Sequence, residues 1–154
     1  IYLGVTSATA ANLLSDYEEG TFTPTLTGST TNPTKSSSSM VGYYRKIGNV
    51  VFIYIQMSWV LSNVGAGDIR IDALPFTANS AIAQSIGGMG GRGMGVSDTT
   101  VVIKPGAVGN TTYIAFGLYD QNAVPAGESR MTHSNLSTSS NGVNMYITLT
   151  YMAN

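Results

Sequence analysis

The chain has no cysteine, one histidine and few charges: 7 Lys and Arg and 8 Asp and Glu among 154 residues, a formal net charge of −1. Missing thiols exclude a disulfide framework and thiolate chemistry. One histidine without cysteine cannot supply a zinc centre, and no metal or other cofactor is expected. Charged residues make up 10% of the sequence, far below the roughly 25% of an average soluble domain. Phosphate neutralisation needs clustered Lys or Arg, so nucleic-acid binding is excluded as the main business. The polybasic route to a membrane surface falls with it. The longest apolar run, Val50 to Ile55, is far shorter than the ~20 residues that span a bilayer. No signal sequence opens the chain, and its start at Ile1 rather than Met is read as a piece of something longer.

What is present is 43% hydrophobic residues, 18 glycines and plentiful Ser, Thr and Asn. One domain is the default at this length. The segment Thr6 to Glu19 holds good helix formers before Gly20, and reads as a short helix or an ordered arm. From Gly20 the period becomes two. Phe22, Pro24 and Leu26 share one face, with Thr21, Thr23, Thr25 and Thr27 on the other. Pro24 lacks an amide donor and points to an edge strand or a bulge. Ser29 to Ser39 has no apolar periodicity and reads as a long exposed loop.

The strongest signal is the stretch from Gly42 to Val60. Gly48-Asn49 supplies turn chemistry, predicting a hairpin of Gly42–Ile47 with Val50–Val60. Val51, Ile53, Ile55, Met57 and Trp59 share a wholly apolar face and should be core. The opposite face carries Val50, Phe52, Tyr54, Gln56 and Ser58, and its apolar start should be partly covered. Ile69, Ile71 and Ala73 alternate against Asp68, Arg70 and Asp72. Further strands are expected at Ala81–Gly90, Thr99–Ile103, Thr112–Leu118, Glu128–Ser134 and Val143–Met152, separated by turn clusters at Lys104–Asn110, Asp120–Glu128 and Ser137–Gly142. Many short strands without a fixed repeat predict an all-β fold, an antiparallel β-sandwich of jelly-roll type. The expected division is a connecting arm or helix over 1–19 and a sandwich over 20–154.

Gly88 to Gly93 matches G-x-G-x-x-G, but strand-like sequence follows it instead of a helix, so a dinucleotide site is not expected. The glycines there serve tight turns or close backbone approach. No serine sits in a nucleophile-elbow motif, His133 reads as an exposed strand or loop residue, and no catalytic residue is assigned. No pair among the carboxylates is singled out by spacing for glycoside hydrolysis. Carbohydrate binding suits this composition better, because sugars are held by aromatic faces and neutral hydrogen-bonding groups. Tyr43, Tyr44, Tyr113, Tyr119, Tyr146 and Tyr151 offer the first, and Asn110, Gln121, Asn122, Asn135, Asn141 and Asn144 the second. The loop from Tyr119 to Glu128 is the favoured contact region.

Two phrases carry a family resemblance. Asp16-Tyr17-Glu18-Glu19-Gly20-Thr21-Phe22-Thr23-Pro24 and the hairpin residues Tyr44, Ile47, Gly48 and Val51 resemble the carboxy-terminal domain of bacteriophage tail fibre and tailspike proteins. Ile71 to Ser80 is similar to that family's connector. The resemblance covers about the first half of the chain. It implies a homotrimeric β-sandwich at the distal tip of a virion fibre, continuing an upstream shaft and touching host polysaccharide or lipopolysaccharide. Expected glycan contacts are Tyr119, Asp120, Gln121, Asn122, Arg130 and His133. Expected trimer contacts are Val50, Phe52, Tyr54, Met89 and Met94. The alternatives are a ligand-free trimerisation module and, from a different class, a glycoside hydrolase or lyase.

Overall fold

The computed structural model describes residues 16–80, 85–92, 101–120, 128–136 and 142–154. The strands are β1 (Tyr17–Phe22), β2 (Thr25–Gly28), β3 (Thr34–Ile47), β4 (Val50–Asn63), β5 (Ile69–Asp72), β6 (Ile86–Arg92), β7 (Val101–Ala107), β8 (Ile114–Asp120), β9 (Glu128–Arg130) and β10 (Val143–Met152). One short 3-10 turn, His133–Asn135, lies between β9 and β10. The strands form two antiparallel sheets, β1-β3-β4-β10-β6 and β2-β5-β8-β7, with β9 added to β8. The chain is an all-β sandwich.

The period-two pattern builds it. Gly48 adopts φ 56°, a left-handed conformation that glycine accepts without a Cβ penalty, and joins β3 to β4 in the predicted hairpin. Inward from β4 come Val51, Ile55 and Met57 at 0% exposure and Trp59 at 2%. In β10, Val143, Met145, Ile147, Leu149 and Tyr151 are buried in the same alternation. The second sheet answers with Leu26, Ile69, Ile71, Ile114 and Phe116, and the two sets form one core. Pro24, buried between β1 and β2, marks the corner where the chain leaves one sheet for the other. A residue with no N–H to donate ends the β1 ladder there.

Five expectations change. Thr34 to Ser39 is not loop but the first half of β3, paired to β4 as far as Thr34↔Asn63 through register irregularities near Lys35. Its serines are mostly exposed, so pairing with the long apolar β4 makes the strand where no side-chain alternation announces it. Tyr17 to Glu19 belong to β1, not to a helix or arm, because they pair with Ile47 to Arg45; residues 1–15 lie outside the described residues. Lys104 to Ala107 extend β7 rather than turning. Pro105 is tolerated there because β7 is an edge strand. Finally, β9 ends at Arg130 and Ala73 leaves the β5 pattern at φ 71°, exposed.

Candidate functional site

Two surfaces stand out, one on the outside of each sheet. On the five-stranded sheet, cross-strand registers place Thr21, Tyr43, Tyr54 and Thr148 in one row and Glu19, Arg45, Phe52 and Thr150 in the next. Side chains alternate faces along a strand, so these are the partners of the buried Val51–Trp59 set, turned outward. Among the described residues the exposed large hydrophobic side chains are Tyr17 (43%), Tyr43 (49%), Ile47 (44%), Phe52 (47%), Tyr54 (39%) and Tyr146 (42%). Their register puts every one of them on this face. Tyr43 and Tyr54 lie 6.3 Å apart between ring centroids. Beside them Glu19, Arg45, Phe52 and Tyr54 border a shallow cleft of about 640 Å³.

The charge on this face is internally matched. Tyr17 donates to Glu19 Oε2 at 2.6 Å, and Arg45 Nε reaches the same oxygen at 3.4 Å. The Tyr17 bond first, and Arg45 second, hold the Glu19 carboxyl below the usual carboxylate range, while the same bond raises the Tyr17 hydroxyl. Tyr44, on the opposite side of β3, donates to Glu18 Oε1 at 2.7 Å and is raised by that bond.

On the second sheet the outward row is Lys104, Gly117 and Arg130. Gly117 carries no side chain, so Lys104 and Arg130 flank an open floor that continues over Ala115 and Gly106. Tyr119, two positions along β8 and half-buried, closes one end, with Lys104 Nζ 4.4 Å from its ring centroid. The groove has a volume of about 390 Å³. Within the same sheet Arg70 lies 4.5 Å over the Tyr113 ring.

The sequence-predicted residues divide accordingly. Tyr119 and Arg130 meet in the groove. Asp120 ends β8, and Gln121 and Asn122 lie outside the described residues. His133 is corrected: it is 2% exposed, not an exposed strand or loop residue, and offers no surface to a glycan. Its Nδ1 lies 2.8 Å from the Gly67 carbonyl oxygen; a carbonyl only accepts, so Nδ1 carries the proton. The ring packs where a Cβ on Gly28 would stand, which makes His133 a tie between the β2 end and the turn before β5. Among the proposed trimer contacts, Phe52 and Tyr54 are exposed and Val50 is half-exposed on the aromatic face. Met89 pairs with the buried Ile147 and packs against the core, so its side chain points away from that face. Met94 lies outside the described residues. Tyr151 is 2% exposed, donating to the Phe76 carbonyl at 3.0 Å, and is structural. Gly88 to Arg92 run along β6, and Gly93 lies outside the described residues.

Sequence reasoning missed Lys104, which it placed in a turn. Only the extension of β7 beside β8 brings it to Arg130 and Tyr119. Among the described residues no group of three or more His, Asp or Glu converges as a metal site would.

No protein-family model matches the sequence, and no curated protein is significantly similar to it. The fold is similar to part of the crystal structure of Dettilon tailspike protein (gp208), with a TM-score of 0.68 and 17% sequence identity. The match covers 90% of this chain and 24% of that one. The chain therefore spans about a quarter of that protein's length, and at this identity the likeness is one of fold.

Proposed function

We propose that this chain is a domain of a phage tail fibre or tailspike that holds three copies together and contacts host surface glycan during adsorption. One observation carries the reading. Every exposed large hydrophobic side chain among the described residues lies on the outer face of one sheet. With about half of each side chain still accessible, the face leaves roughly 500 Å² of apolar and aromatic surface uncovered. That is of the order of the roughly 800 Å² per partner in a stable interface. The fold likeness to part of a tailspike and the opening phrase Asp16–Pro24 support the same assignment. In this reading the sandwich, which begins with β1 at Tyr17, forms a distal tip on the virion tail, and the residues before it connect to an upstream shaft of the same chain.

Host polysaccharide or lipopolysaccharide is the proposed ligand, taken up by the second sheet where Tyr119 and Arg130 meet. A purely assembling module is the second reading, favoured by the aromatic face being the larger of the two surfaces. The hydrolase reading finds no support in either cleft. Glu19 is the carboxylate lining the first, and its hydrogen bond from Tyr17, then Arg45, shifts it below the usual carboxylate range, the opposite of what a general acid needs. Among the described residues no carboxylate lines the second.

Light scattering on the purified chain, together with sedimentation of host lipopolysaccharide or capsule with it, tests both halves. The expected result is a trimer that co-sediments with the host glycan. A monomer at high micromolar concentration contradicts the assembly, and a trimer that leaves every host glycan in solution leaves the ligand-free module.

A further inference from the structure

The groove on the second sheet holds more cationic character than the composition predicts. Two of the chain's 7 Lys and Arg, Lys104 and Arg130, stand on either side of the Gly117 floor. Both are exposed. The ion pairs among the described residues are Arg45–Glu19 and Lys46–Asp16, both on the other sheet, so neither groove cation is neutralised by a described carboxylate. The cations cannot relax into each other across the floor, because like charges repel. Tyr119 adds a ring at one end, with Lys104 held against it. A floor of Gly106, Ala115 and Gly117 leaves the backbone open to a flat ligand.

A neutral sugar would need the ring and hydrogen-bond donors but not two cations that no described carboxylate neutralises. An anionic group on a sugar would use all three parts: Arg130 offers a planar pair of donors and Lys104 a point charge, while the sugar ring lies along Tyr119. We infer that this groove is a binding site for an acidic sugar, a saccharide unit bearing a carboxylate or phosphate set between Lys104 and Arg130. The inference rests on the glycan-binding reading above and narrows it to a chemical class. Carboxylate-bearing capsule and phosphorylated lipopolysaccharide core present the same chemistry, and separate probes tell them apart.

The experiment is calorimetric titration of the intact chain with tetragalacturonate, mannose 6-phosphate and neutral maltotetraose, at low and physiological salt. Tetragalacturonate or mannose 6-phosphate should bind and maltotetraose should bind much more weakly; which acidic probe is tighter identifies the source. Lys104→Ala and Arg130→Ala should each weaken the acidic probe by roughly tenfold and flatten its salt dependence. Tyr119→Leu should weaken it while keeping the salt slope. These are surface changes, and unaltered thermal unfolding confirms that the variants are folded. Acidic probes that fail to bind, or that bind the Lys104 and Arg130 variants as well as the parent, overturn the inference. Host glycan titrated in parallel keeps the two ideas apart. If it binds and the acidic probes do not, the inference fails and the adsorption reading stands. If the probes bind in the groove and no host glycan does, the groove stands and the adsorption reading fails.

Discussion

Phe52 is the residue on which the aromatic face is most directly testable. It is 47% exposed in the single chain, which for an aromatic side chain of roughly 200 Å² leaves about 90 Å² facing solvent. Covering that area contributes about 2 kcal/mol at ~25 cal/mol per Å². In the proposed trimer three chains would make the sum about 7 kcal/mol, a shift of about five powers of ten in its dissociation constant. Phe52→Ala should therefore move the assembly from trimer to monomer within the micromolar range followed by sedimentation equilibrium. Phe52→Glu should do so completely, since it adds an unpaired charge to the buried face. Because the side chain is already half in water, circular dichroism of both variants should keep the β-sheet signature. Thr25→Ala, exposed on the other sheet, is the control and should leave the trimer intact. A Phe52→Glu chain that still sediments as a trimer would show that some other surface makes the contact.

Tyr151 gives a pH test. Burial pushes its hydroxyl up to about 12 from the ordinary 10.0, so the folded state holds the proton more tightly than the unfolded one. The neutral form's contribution is complete below pH ~10 and is lost as pH rises through about 12, on the order of 2 to 3 kcal/mol. Tyr151→Phe should cost about 1 kcal/mol at neutral pH by leaving the Phe76 carbonyl unpaired, and urea curves of variant and parent should cross near pH ~11. Parallel curves to pH ~12 refute the burial argument. Ile55→Ala, at 0% exposure between the sheets, should lower stability by about 2 to 5 kcal/mol in chemical denaturation; a loss below ~1 kcal/mol means the core is not packed as described. Gly48→Ala meets no atom within 4 Å of the new Cβ, so its cost should be the backbone term alone, about 1 to 2 kcal/mol at φ 56°. A neutral substitution there would mean that the turn adopts another conformation.

Alternation along the chain was enough to determine the β4 and β10 faces, the Gly48-Asn49 turn and the sandwich class, because the side-chain period of a strand is a local property of the backbone. Val143 to Met152 and the inward set from Val51 to Trp59 follow from that rule alone. The outward set was legible as a face, but Phe52 and Tyr54 emerge exposed in the single chain where partial cover was expected. Which strands pair, and where each ends, is decided by hydrogen bonds to residues far away in sequence. Hence the serine-rich start of β3 exists only because β4 is there to pair with it. Lys104 reaches Arg130 only because both β7 and β9 flank β8. His133 is buried only because Gly28 and Gly67, distant along the chain, leave space for its ring and a carbonyl for its proton. Parity is written in neighbouring residues, whereas neighbours across a sheet are chosen by the whole chain at once.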